Sequence, residues 1–202
     1  MNTQEYTSSR VTRWFFPSED IDNQAKKFEP LIHDAGNNRL TSSPWTTDLG
    51  MLARILLTDQ IPRQAFRGTD AAFAYDDVAV SLASKALDDE MDTRLPGAMR
   101  IFVTLPLIHS EDVALHAKAE ESAEKLISDY PNVEAFSENQ RQVKEHKSVV
   151  DRCRTASPPK SCLLVKKCQR GSMLRVQVRT IPTQKQGSRT QEHRGGRGVA
   201  RS

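Results

Sequence analysis

Apolar residues recur through most of this chain at three- and four-residue steps, the period of helices that bury one face. Residues 11–16, VTRWFF, form a short aromatic run stopped by Pro17 and read as the end of a first helix. Ser18 or Asp20 can cap a second helix through IDNQAKKFEPLIHDAG, because their side-chain oxygens accept orphan amide protons at a helix start. Pro30 removes a helical donor and kinks or divides that helix, and Gly36 with Asn37 ends it. The third segment starts at Thr46 to Asp48 and continues as LGMLARILLTDQ. Its Leu49, Leu52, Ile55 and Leu56 form a stripe that Met51 and Leu57 widen until little polar face remains, so this helix is expected to be central. Pro62 biases Ile61 out of the helical region and marks the expected end.

After Gly68, Thr69 or Asp70 can cap a helix reaching about Glu90, with Phe73, Val80, Ala83 and Leu87 on one face. Pro96 suits a first helical turn, and GAMRIFVTLPLI follows as a largely buried segment expected to break near Pro106. HSED then opens an amphipathic helix, VALHAKAEESAEKLI. Ser110 is the expected N-cap, with Glu111 and Asp112 against the positive end of the helix. A last helix over about 133–152 turns Val143, His146, Val149 and Val150 inward. No strand alternation interrupts this pattern before residue 152. The expected fold class is all-α, helix hairpins stacked on one another, without the self-similarity of about 34 residues that marks a regular tetratricopeptide array.

Charge changes the picture at residue 153. Of the 29 Lys and Arg and the 26 acids, residues 153–202 hold 12 and one, so that segment carries +11 and the rest −8. It has no aromatic residue but all three cysteines, Cys153, Cys162 and Cys168. The chain therefore divides into an all-helical domain, 1–152, and a basic, low-complexity tail, 153–202, whose composition predicts disorder. No CxxC pair or His cluster accompanies the cysteines, so no metal site and no cofactor is expected. RGGRG at 194–198 is of the kind that follows polyanion backbones electrostatically, giving non-specific polyanion binding as the expected behaviour of the tail. With no apolar stretch of membrane-spanning length and no apolar leader in MNTQEYTSSR, a cytoplasmic protein that does not enter the membrane is expected.

The candidate chemistry gathers around DQIPRQAFRG, residues 59–68. Arg63 and Arg67 are four residues apart and would be like-charged neighbours on a helix, so anions must lie close. Asp59, Glu111 and Asp112 can supply them in a structural network. Alternatively Arg63 and Arg67 clamp a carboxylate or phosphate, a task suited to the guanidinium fork, with His109 and Asp59 as polar wall or as acid and base. The candidate ligand-binding set is Asp59, Gln60, Arg63, Arg67, His109, Glu111 and Asp112. His109, Asp112 and His116 share a helical face, but no further spaced ligand supports a metal. Trp14, Trp45 and the phenylalanines are expected as packing anchors.

RWFF near the start, LLTDQIPRQAFRGT at 56–69, AFAYDDVAVSLA and LPLIHSEDV at 105–113 together resemble the domain of unknown function numbered 924, described first in bacteria. The family pattern D-Q-F-P-R-N-x-F-R-G falls on Asp59, Gln60, Ile61, Pro62, Arg63, Gln64, Phe66, Arg67 and Gly68, and H-S-E-D on His109, Ser110, Glu111 and Asp112. The resemblance implies a tetratricopeptide-like helical fold and little about activity. EHKSVVDR at 145–152 is similar to the start of a family segment that continues as Phe-Gly-Arg-Phe-Pro, where this chain reads CRTASPPKSCLL. A shifted reading frame, a retained intron or an erroneous gene model would explain why resemblance and composition change together. Three roles are in play: a module binding a protein or peptide on a concave face, a binder of a small anionic ligand or an enzyme at the polar corner, and nucleic-acid binding by the tail.

Overall fold

A computed structural model describes residues 18–155, with side chains to residue 152. The expected first helix with Trp14, the three cysteine side chains and the tail lie outside the described residues. Among them every regular element is a helix and none is a strand. Helix α1 spans Glu19–Lys26 and α2 Glu29–Gly36, the break falling just before Pro30. Ser18 occupies the cap position of α1 without making a side-chain cap bond.

Helix α3, Asp48–Thr58, is capped by Thr47, whose Oγ1 accepts from Gly50 N at 3.1 Å. It links two apolar clusters. Leu52 and Ile55 face the main core with Leu82, Ala83, Val103, Leu105, Leu107, Ala119 and Val143. Leu57 turns the other way, onto Ala25, Ile32, Ala35 and Ala65. The expected central position is therefore observed, although Leu49, placed on the buried stripe by spacing, is 60% exposed. Being in the first turn, it overhangs the end of the packed surface.

Gly50 marks a close approach at this cap. A Cβ there would lie 2.1 Å from the Pro44 carbonyl oxygen and 2.6 Å from Trp45 Cα, both backbone atoms that cannot rotate aside. Gly50→Ala is expected to cost about 1–3 kcal/mol, the range for overpacking, read as a lower urea midpoint with an unchanged slope. An unchanged midpoint would show that the 44–45 segment yields freely.

The expected stop at Pro62 is moved. The helix breaks at Asp59, with φ −112° and ψ −60°, and α4 restarts over Gln60–Ala65 with Pro62 in its first turn. A first-turn amide has no intrahelical acceptor, so proline costs nothing there. The single helix expected to follow Gly68 is also divided, into a 3₁₀ turn at Asp70–Phe73 and α5 at Asp76–Asp88. The kink frees the Ala72 carbonyl to accept from Arg63 Nη1 at 3.3 Å. Just beyond it, the Tyr75 ring lies on Gly36, where a Cβ would come within 2.2 Å of the ring, and Tyr75 Oη hydrogen-bonds His33 Nδ1 at 2.8 Å.

A one-turn helix α6, Met91–Arg94, leads into α7, Gly97–His109. The expected break at Pro106 does not occur; α7 runs through it. Pro106 is fully buried and flanked by buried Leu105 and Leu107, so apolar packing outweighs the roughly 3 kcal/mol that an interior proline costs. Helix α8, Val113–Asp129, is capped by Asp112 rather than Ser110: Asp112 Oδ1 accepts from Ala114 N at 2.8 Å. Ser110 Oγ instead accepts from Asp112 N at 3.1 Å. Helix α9, Glu134–Thr155, packs along α8 and runs past residue 152. Its Val143, Val149 and Val150 are buried and His146 is half-buried. No helix among the described residues is long and apolar enough to cross a membrane.

Candidate functional site

The break at Asp59 turns its carboxylate into the interior, where it is 1% exposed. Three side chains converge on it. Arg63, one turn along α4, brings Nη2 to 3.1 Å from Oδ1. His109, the last residue of α7, places Nδ1 2.7 Å from the same oxygen. Gln60 Nε2 donates to Oδ2 at 2.5 Å. Burial alone would push this carboxyl up, but the charge and hydrogen bond of His109, the charge of Arg63 and the Gln60 bond outweigh it and hold the group at about 2. Asp59 is therefore ionised at neutral pH. The short contact with an ionised carboxylate then requires His109 to direct an Nδ1 proton at Asp59.

Arg63 is the hub. Besides Asp59 and the Ala72 carbonyl, it contacts Asp76 at the start of α5, with Nη2 3.1 Å from Oδ1 and 3.2 Å from Oδ2. Only the Oδ2 contact is directed as a hydrogen bond; Oδ1 is buried and accepts none. The guanidinium carbon also stands 5.1 Å from the centre of the Phe73 ring. Nη2 lies 3.0 Å from His109 Nδ1 as well. With the ring proton pointed at Asp59, this is a close approach rather than a second strong bond. Asp76 differs from Asp59 in direction: burial raises its carboxyl and Asp59 adds to the rise, against the opposing charges of Arg63 and His109. Arg63, His109 and Asp76 side chains are 18%, 16% and 26% exposed, so the corner opens to solvent above a closed Asp59 floor.

Of the seven residues expected from sequence, the structure brings together Asp59, Gln60, Arg63 and His109. Arg67 points elsewhere, into a two-pronged pair with Asp22 of α1, Nε to Oδ2 at 2.7 Å and Nη2 to Oδ1 at 2.8 Å. Asp112 is the exposed cap of α8, and Glu111 beside it is exposed. Asp76 was missed: in YDDV it reads as an ordinary acid at a helix start, and only the 3₁₀ turn before it brings it onto Arg63.

Behind the corner lie two more histidines. His116 of α8 is fully buried and donates Nε2–H to the Ser110 carbonyl at 2.8 Å, leaving Nδ1 buried without a hydrogen bond. Burial holds it below its ordinary value. His146 of α9 is pushed down to about 4 by burial and then by the nearby charges of His109 and His116. No group of three or more His, Cys, Asp or Glu side chains among the described residues is arranged to hold a metal ion.

The sequence matches the family described as "Bacterial protein of unknown function (DUF924)" over residues 3–154. Among solved structures it is similar to a protein of unknown function from Agrobacterium tumefaciens, at 26% identity and a TM-score of 0.60, covering 75% of this chain and 85% of that one. No curated protein matches it.

Proposed function

The chain belongs to the DUF924 family over residues 3–154, a membership that supplies a helical scaffold and no activity, and from its own side chains we propose a binding protein for a small anionic ligand. The ligand site is the Asp59–Arg63–Asp76–His109 corner. The observation that carries this reading is Arg63: its guanidinium is anchored by a 1%-exposed carboxylate yet its side chain is 18% exposed. A cation fixed in place before the ligand arrives pays little ordering entropy on binding. The planar fork suits a carboxylate or phosphate. Two carboxyls shifted in opposite directions beside one histidine are also the kind of arrangement found at functional sites.

The test is thermal melting of the full chain with acetate or inorganic phosphate, beside Arg63→Lys, which keeps the charge and loses the fork. A saturable rise in melting temperature that the lysine variant lacks is expected. Equal rises in both proteins, or none in the wild type, overturn the reading.

A second reading, a module that docks a protein or peptide on tetratricopeptide-like stacked hairpins, is favoured by large apolar side chains left in solvent. Phe28 is 44% exposed and Leu49 60%. Polyanion binding by the tail rests on its charge alone.

A further inference from the structure

The two carboxylates that share Arg63 are not equivalent. Asp59 is closed off from solvent, and both its oxygens accept hydrogen bonds. Its departure would take a buried acceptor from Arg63, His109 and Gln60 together. Asp76 is 26% exposed. Nη2 straddles its oxygens, bonding Oδ2 at 3.2 Å and standing 3.1 Å from Oδ1 without a directed hydrogen bond. One nitrogen with two protons thus faces Asp59, both oxygens of Asp76 and the His109 ring, and of its two carboxylate partners Asp76 is the more exposed and the one with an oxygen that accepts no hydrogen bond. It stands at the first residue of α5, where rotation about its side-chain bonds would carry it into water without moving the helix.

We propose that Asp76 is an internal competitor for the ligand site: it occupies Arg63 in the free protein and gives way to an incoming carboxylate. This rests on the ligand-binding reading above and deepens it. A carboxylate replaces Asp76 charge for charge, with Asp59 left as the only fixed anion at the guanidinium. A phosphate dianion would bring a second negative charge toward Asp59, which favours carboxylates as the ligand class. Asp76 then sets affinity and selectivity together, because every ligand must outcompete it. The groups facing it, Arg63, Asp59 and His109, also explain why displacement is tolerable. Burial and Asp59 disfavour its charge where it sits, and both penalties ease when it swings into water.

The inference makes a gain-of-binding prediction. In NMR titrations of the full-length ¹⁵N-labelled chain with acetate, Asp76→Asn is expected to bind on the order of tenfold more tightly than the wild type, the scale of removing one competing like charge. Asp76→Ser serves as a second variant that frees the same space. Asp77→Asn, at the exposed neighbouring acid, controls for a general change of charge and is expected to leave acetate affinity unchanged. Inorganic phosphate is expected to bind all four proteins more weakly than acetate does.

If wild type binds acetate and Arg63→Lys does not, yet both Asp76 variants bind no more tightly, the competitor role is overturned while the ligand site stands. Equal gains in the Asp76 and Asp77 variants overturn it too, as a general charge effect. If phosphate binds more tightly than acetate, the assignment to carboxylates is lost. Absence of saturable acetate binding in every variant brings down the competitor and the ligand site together.

Discussion

Asp59→Ala is expected to lower the stability of the folded chain by about 3–5 kcal/mol, the range for removing one partner of a buried ion pair. The size follows from what Asp59 holds. Arg63 loses its closed-in anion, and His109 and Gln60 lose the acceptor that fixes them. The corner also joins the two apolar clusters, since Leu57 of the smaller one lies two residues before Asp59 and Ile108 of the larger adjoins His109. Asp59→Asn keeps the shape and one acceptor oxygen and should lose less. Urea unfolding at neutral pH measures both; a loss below about 1 kcal/mol for the alanine variant, the scale of an exposed pair, would show that the network does not hold the fold.

The second large effect is a two-stage loss of stability in acid. His146 titrates at an ordinary 6.5 in the unfolded chain and at about 4 in the fold. Between those values the unfolded state binds a proton that the folded state refuses, so stability falls as the pH falls. The total is at most about 3 kcal/mol, reached near the folded value, below which the loss levels off. Asp59 acts next. Its carboxyl is depressed from 3.8 to about 2, so its contribution of roughly 2 kcal/mol is present above pH 3.8 and disappears as the pH falls toward 2. Urea unfolding of wild type and His146→Gln through both windows separates the two. The glutamine variant should have a shallower slope between pH 6.5 and 4, the rest coming from His116, which burial also holds down, and keep the lower stage; identical slopes in the upper window would rule His146 out as a source.

Helix positions were legible in the sequence because the apolar period survives wherever a helix buries one face. The errors cluster at prolines and caps. Pro106 reads as a break, yet burial on both sides of it outweighs its missing donor. Pro62 reads as an end, yet it sits in a first turn where no donor is needed. Ser110 and Asp112 are both good caps, and only backbone geometry selects between them. The candidate site divides in the same way. Asp59, Gln60 and Arg63 are neighbours along the chain and can be read from it, and His109 stands out by its chemistry. Asp76 could not be found from spacing, because a 3₁₀ turn rather than a helical period delivers it. Arg67 follows Arg63 by one turn but pairs with Asp22 instead, on a helix far back in the chain.

The contact between Tyr75 and Gly36 binds two distant positions into a single choice. Any side chain at 36 would occupy the place of the ring, so a larger residue there is admissible only alongside a smaller one at 75. Tyr75 adjoins Asp76, so that exchange would also shift the carboxylate facing Arg63. Inheritance of the first hairpin and of the polar corner is thereby coupled: residues 36 and 75 are expected to vary as a pair across relatives, and a chimera that takes α2 from one relative and α5 from another would have to carry both.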